Sequence, residues 1–266
     1  MRLAGVAEAK ELLHEEIKTL SSIRRDLLEQ YFRAQEPIER FRLKRDLDEL
    51  AGQLRQIHVG RKALDYVEET QPSSTLPAIS AHWLDKFNEL ARASNEPWRE
   101  ELLARALAQE ARSPGSVVPR ALWFLGTFEK HIFEAFSTLL DLSCFVGGPL
   151  MIPKSGSYIK IPIPGKGPLA IGNLIHQLQD VALIAHAVGS FRMLRKGQPH
   201  KISYHKLRAE VTFTDRDYDA YGLLYTSVGL SISRFYQPTE NPLGRRICDE
   251  FIASLEKIPN CKVKRL

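Results

Sequence analysis

Cysteine is scarce in this chain: three in 266 residues, Cys144, Cys248 and Cys261, with no Cys-x-x-Cys spacing. So sparse and odd a set excludes a disulfide scaffold, argues against a structural zinc site and suits a reducing compartment. Long apolar runs are missing too. Charge-free stretches such as 142–153, 167–179, 181–191 and 220–233 are too short to span a bilayer. The opening residues, MRLAGVAEAKELLHEE, hold no apolar core of signal-peptide length. The expectation is a cytoplasmic protein with no membrane span. Catalytic signatures are absent as well: no Gly-x-Ser-x-Gly, no His-Glu-x-x-His, no EF-hand loop and no kinase set. What remains is ordinary globular composition, 44% hydrophobic and 26% charged, which excludes wholesale disorder and collagen.

The charge is unevenly spread. Residues 1–70 carry 13 Lys/Arg against 14 Asp/Glu, and residues 71–144 carry 7 against 9. Residues 145–266 carry 17 against 9, so the whole basic excess lies in the C-terminal part. That asymmetry suggests an N-terminal helical part and a basic C-terminal part with separate jobs.

Periodicity divides the chain further. Residues 6–33 read as an amphipathic helix through Leu13, Ile17, Leu20, Leu27, Leu28, Tyr31 and Phe32. After Pro37 a second helix, about 38–68, shows Phe41, Leu47, Leu50, Leu54, Ile57, Leu64 and Val67 on its apolar face. Two such helices form an antiparallel hairpin or an extended arm, and residues 1–70 are expected to self-associate or bind a protein partner. QPSSTLP, residues 71–77, reads as a linker. Residues 78–144 read as a bundle. Ser80 caps a helix with Trp83, Phe87 and Leu90 on one face, and Pro97 opens the next, with Leu102, Leu103, Ala106 and Leu107 inward. Pro119 opens a third helix, and 128–142 forms a fourth, rich in Phe.

After Cys144 glycine and proline gather and short β patterns appear, as in SYIKIPIP. FRMLRKG and KISYHKLRAEVTF read as two strands around Gly197-Gln198-Pro199, and Asn241-Pro242 starts a last helix before a basic tail, CKVKRL. The fold class expected is mainly α, with an N-terminal helical arm, a central helical bundle and a basic α+β module. Helix, ribbon and helix in a basic setting make that module, residues 145–266, winged-helix-like.

Isolated chemical candidates read as structure. Gly165-Lys166-Gly167 precedes a helix yet lacks Walker spacing, so a turn is favoured over a phosphate cradle. Asp215, Asp217 and Asp219 lack the glycine and distant glutamate of a calcium loop. His200 and His205 fall on opposite faces of a strand, which no single metal could share. Glu110 has no identifiable His or Cys partner for general-base work and reads as a cap or ion-pair member. No catalytic residue, metal site or cofactor is expected. The basic cluster is different. Arg192, Arg195, Lys196, Lys201, Lys206 and Arg208, interleaved with Phe191 and Tyr204, suit a phosphate backbone. The helix near 172–180 has no Lys or Arg, so specific groove reading is not expected of it.

Three stretches of the bundle, ISAHWLDKF (79–87), LAQEARSPGS (107–116) and RALWFL (120–125), resemble the bacterial family called domain of unknown function 2806. LQDVALI (178–184) and LYTSVG (224–229) are similar to its later blocks. The family has no established activity, so the resemblance implies no catalytic residue. It does imply a helical architecture and a setting in abortive infection or phage defence. Two functions are therefore carried forward: a non-enzymatic sensor or adaptor in anti-phage defence, and a nucleic-acid-binding regulator acting through the C-terminal module.

Overall fold

The computed structural model describes residues 3–67, 78–154, 160–163, 167–185 and 191–266. The linker reading of 71–77 and most of Gly165-Lys166-Gly167 lie outside them. The described fold is mainly α with a C-terminal antiparallel sheet, arranged as two compact units, Met1–Thr127 and Phe128–Leu266. No described helix is long and apolar enough to cross a membrane.

In the first unit, α1 (Leu3–Arg33) and α2 (Pro37–Tyr66) pack along each other as an antiparallel hairpin, with Lys10 ion-paired to Asp65 at 2.7 Å. Pro37 sits at the first helical position, where its missing N–H costs nothing. The stripe Leu13, Ile17, Leu20, Leu27, Leu28 and Tyr31 is the half-covered side of α1.

α2 is not part of a separate arm. Its other side packs on α3 (Ala81–Ala93) and α4 (Pro97–Arg112), so its buried residues are Leu43, Leu50, Gly52, Leu54, Val59 and Ala63. A helix sandwiched between neighbours buries two stripes, and single-stripe periodicity misassigns it: Phe41, expected inward, is exposed. Ser80 caps α3 as expected, its Oγ accepting the Trp83 N–H at 3.2 Å. Leu103 of α4 is fully buried, whereas Leu107 is only half-buried. α5 (Pro119–Thr127) closes this unit with Leu122, Phe124 and Leu125 in its core.

α6 (Lys130–Leu142), grouped by sequence with the bundle of 78–144, belongs instead to the second unit. It packs against α9 (Pro242–Glu256) and leads directly into the sheet. Its strands are β1 (Cys144–Val146), β2 (Leu150–Pro153), β5 (Phe191–Leu194), β6 (His200–Tyr204), β7 (Leu207–Phe213), β8 (Tyr218–Leu224) and β9 (Cys261–Arg265). Their order is β5-β8-β2-β1-β6-β7-β9. A separate ribbon pairs β3 (Lys160–Ile163) with β4 (Gly167–Ala170), followed by α7 (Ile171–Asp180); α8 (Ser227–Phe235) follows β8.

Three strand-level expectations change. FRMLRK and the strand after Gly197 are not partners: β5 pairs with β8, and β6 pairs with β1 and β7. The segment KISYHKLRAEVTF is itself a hairpin, turning at His205, whose φ of 46° is left-handed. CKVKRL is not a tail but the edge strand β9, antiparallel to β7. The sheet coils back on itself. The Gly197 N–H reaches the Phe213 carbonyl at 2.7 Å, and Phe213 stacks on Tyr218 at 4.8 Å. One face carries Cys144, Val146, Met151, Ile202, Tyr204, Ala209, Val211 and Phe213 onto Cys248, Phe251, Ile252 and Leu255 of α9. Burying each of the Val, Ile, Leu, Met and Phe side chains among them contributes roughly 1.5–3 kcal/mol.

Candidate nucleic-acid interface

Strand pleating sends alternate residues to opposite faces, so the register that turns Ile202, Ala209, Val211 and the half-buried Val263 inward turns their neighbours outward. Three rows cross the outward face. Phe145 lies opposite Ser203, which lies opposite Arg208. Lys201 lies opposite Glu210, which lies opposite Lys264. Thr212 lies opposite Lys262. Directly opposed Cβ atoms stand about 5 Å apart, and successive rows about 7 Å.

Lys201, Arg208, Lys262 and Lys264 are all exposed, and none has an acidic partner within 4.0 Å among the described residues. Arg265 shows the contrast. Alternation carries it to the other face, where it pairs with Asp249 at 2.5 Å and Glu256 at 2.9 Å. On β6, β7 and β9 the outward face thus concentrates four cations against the single carboxylate of Glu210.

The structure divides the six basic residues read from sequence. Lys201 and Arg208 come together as diagonal neighbours on adjacent strands. Arg195 and Lys196 sit on the turn before β6, and Lys206 on the turn after it, so five strand residues, about 17 Å, separate them. The Lys196 backbone N–H donates to Asp217 at 2.8 Å, and the neighbouring Asp215 and Asp217 offset the charge of that turn. Arg192 lies on β5, opposite Ala220, at the far edge of the strand order, with Nη2 3.5 Å from the Gly147 carbonyl. Tyr204, taken as interleaved with the cations, is buried; its hydroxyl donates to the Asp141 carbonyl at 2.7 Å and accepts the Asn241 N–H at 2.7 Å. Burial pushes its pKa up.

Three contributors escaped the sequence reading: Lys262, Lys264 and Phe145. CKVKR does alternate Lys with Cys, Val and Arg, a two-residue period that marks a strand. Phe145 gave no such signal, because β1 is three residues long.

The remaining chemical candidates resolve into structure. Glu110 is a buried carboxylate that clamps the turn after α4, accepting the Gly115 N–H at 2.6 Å and the Val117 N–H at 2.8 Å. Both oxygens are engaged by backbone. His200 Nε2 lies 2.9 Å from the Arg195 carbonyl, and His205 sits at the other end of β6. Asp215, Asp217 and Tyr218 line a groove of about 390 Å³ with Arg216 and Lys257, a mixed-charge setting that favours no one ligand.

Compared with protein-family models, curated proteins and solved structures, the chain matches none.

Proposed function

We propose that this chain is a non-enzymatic interaction protein that binds nucleic acid through the outward face of β6, β7 and β9. One observation carries the reading: Lys201, Arg208, Lys262 and Lys264 share that face at strand spacing with no acidic partner within 4.0 Å among the described residues. Cations left unpaired on one rigid surface suit a polyanion, because each neutralised phosphate releases condensed counterions. The second unit as a whole holds 18 Lys and Arg against 12 Asp and Glu, a net +6, while the first is at −1, with 19 against 20. Arg195, Lys196 and Lys206 add cations at the two ends of β6, whereas Arg192, opposite the buried Ala220 on β5, lies off this face.

In this reading the winged-helix-like element reduces to the β6–β7 hairpin as a wing; α7, the helix that would read a groove, has no Lys or Arg, so contacts are to phosphates and sequence is not read. The family resemblance supplies the setting: a sensor in anti-phage defence whose trigger is nucleic acid.

The test is a fluorescence titration of the full chain against labelled oligonucleotides across a salt series. Affinity should fall steeply with salt, and Lys262→Ala with Lys264→Ala should make the slope of log affinity against log salt shallower by about one per contact removed. Absence of binding near 0.15 M salt would refute the reading.

A second reading, an adaptor working through the N-terminal helices, is favoured by the α1–α2 elbow. There Phe32, Ile38 and Phe41 are 76%, 70% and 71% exposed. Apolar side chains clustered and uncovered mark an association surface. Loss of an oligomer or of a protein partner on replacing all three with Ser would support it.

A further inference from the structure

We infer that the outward face of the C-terminal sheet takes single-stranded RNA, with a base stacked on Phe145 and the backbone held by the neighbouring cations. This rests on the nucleic-acid reading above and narrows it to one class of polymer.

Phe145 is 51% exposed, although both chain neighbours, Cys144 and Val146, are fully buried. Its exposure is therefore dictated by strand alternation, and pairing on both sides fixes it, with β2 through Leu150 and with β6 through Ser203. The ring is a rigid platform rather than a loop side chain. Arg208 stands in the same row two strands away, about 10 Å, and Lys201 in the next row. An aromatic ring flanked by guanidinium and ammonium groups is the pairing of stacking platform and phosphate contacts that single strands use.

The ring discriminates between duplex and single strand. In a duplex the base faces are already stacked on one another, so an exposed ring gains nothing from them. A single strand presents those faces freely. The surface is also the face of a sheet, and α9, the helix packed on these strands, covers the opposite face.

The polar residues favour RNA. Glu210 lies between Lys201 and Lys264 in its row, and Ser203 between Phe145 and Arg208. A phosphodiester only accepts hydrogen bonds, so a carboxylate on its path repels a deoxy strand. A ribose 2′-hydroxyl donates as well as accepts, and can satisfy Glu210 or Ser203.

The experiment uses the full chain and one mixed sequence in three forms: single-stranded RNA, its deoxy counterpart, and the RNA duplex, at physiological ionic strength. The single-stranded RNA should bind tightest, with the deoxy strand weaker by roughly 2- to 10-fold, the worth of one net hydrogen bond. Phe145→Leu should weaken single-stranded RNA binding by roughly 5- to 100-fold, the range for loss of one stacked base, while leaving any duplex binding and the melting temperature unchanged. Phe145→Tyr should retain binding. Equal affinity for single strand and duplex, with Phe145→Leu silent, would overturn this inference and leave the nucleic-acid reading intact. Equal or tighter binding of the deoxy strand would overturn the assignment to RNA. No binding to any of the three would remove both.

Discussion

Glu110→Ala tests whether the buried carboxylate is a structural clamp. Glu110 is 2% exposed and spends both oxygens on the turn that ends α4, one on the Gly115 N–H and one on the Val117 N–H. The two amides differ in what the substitution leaves them. Gly115 is exposed, so its N–H finds water. Val117 is 1% exposed, so its N–H is stranded in the core. A hydrogen bond to a charged group is worth roughly 1.5–3 kcal/mol, and an unsatisfied buried amide costs about 1–3 kcal/mol. The turn also positions the Val117 carbonyl, which accepts the Trp83 indole N–H at 2.8 Å, so α3 loosens with it. A loss of about 3–4 kcal/mol follows. For a unit of this size each kcal/mol moves the midpoint by roughly 3–6 °C, so a fall of about 10–20 °C is expected by calorimetry. Glu110→Gln keeps the shape and one carbonyl acceptor but turns an amide NH2 toward the other donor, and should fall between the two. The reasoning fails if Glu110→Ala melts within a degree or two of the parent. It fails equally if Glu110→Gln abolishes a measurable activity while keeping full stability, since that would make the carboxylate chemical rather than structural.

Other expected outcomes follow from the same contacts. A Cβ added at Gly244 would stand 2.6 Å from the Tyr204 hydroxyl and 2.9 Å from the Asp141 carbonyl, so Gly244→Ala should break that network and lower stability by roughly 1–3 kcal/mol in a urea melt. An unchanged midpoint would show that the network has slack. The quadruple change of Lys201, Arg208, Lys262 and Lys264 to Ala should remove most nucleic-acid affinity while the melting curve stays put, because all four residues are exposed; loss of fold would refute their surface role. Deleting residues 1–70 should unfold the first unit, since it exposes the α3 and α4 surfaces that cover α2, and circular dichroism retaining full helicity for the remainder would contradict that packing. Replacing Phe32, Ile38 and Phe41 with Ser is therefore the cleaner probe of self-association, and an oligomer mass by light scattering that does not move would reject the elbow as its interface.

The sequence by itself determined the helices, because helix formation is local. Ser80 before its apolar run, Pro37, Pro97 and Pro119 at helix starts, and the 3.6-residue spacing of Leu13, Ile17 and Leu20 each act within a few residues. It also located the basic excess after residue 145. Tertiary structure alone decided what those elements pack against. α2 lies between α1 on one side and α3 and α4 on the other, so its buried set includes Gly52 and Ala63, which no hydropathy stripe selects. α6 joins the sheet rather than the helices that precede it. The candidate interface shows the limit most clearly. Lys201 and Lys264 are 63 residues apart in the chain and share a row only because β7 pairs with both β6 and β9. Arg195, Lys196 and Lys206, neighbours in sequence, are spread to opposite ends of β6 by the same pairing. Strand partners are chosen by non-local hydrogen bonding and by the burial of one face on α9, and neither leaves a local mark in the sequence.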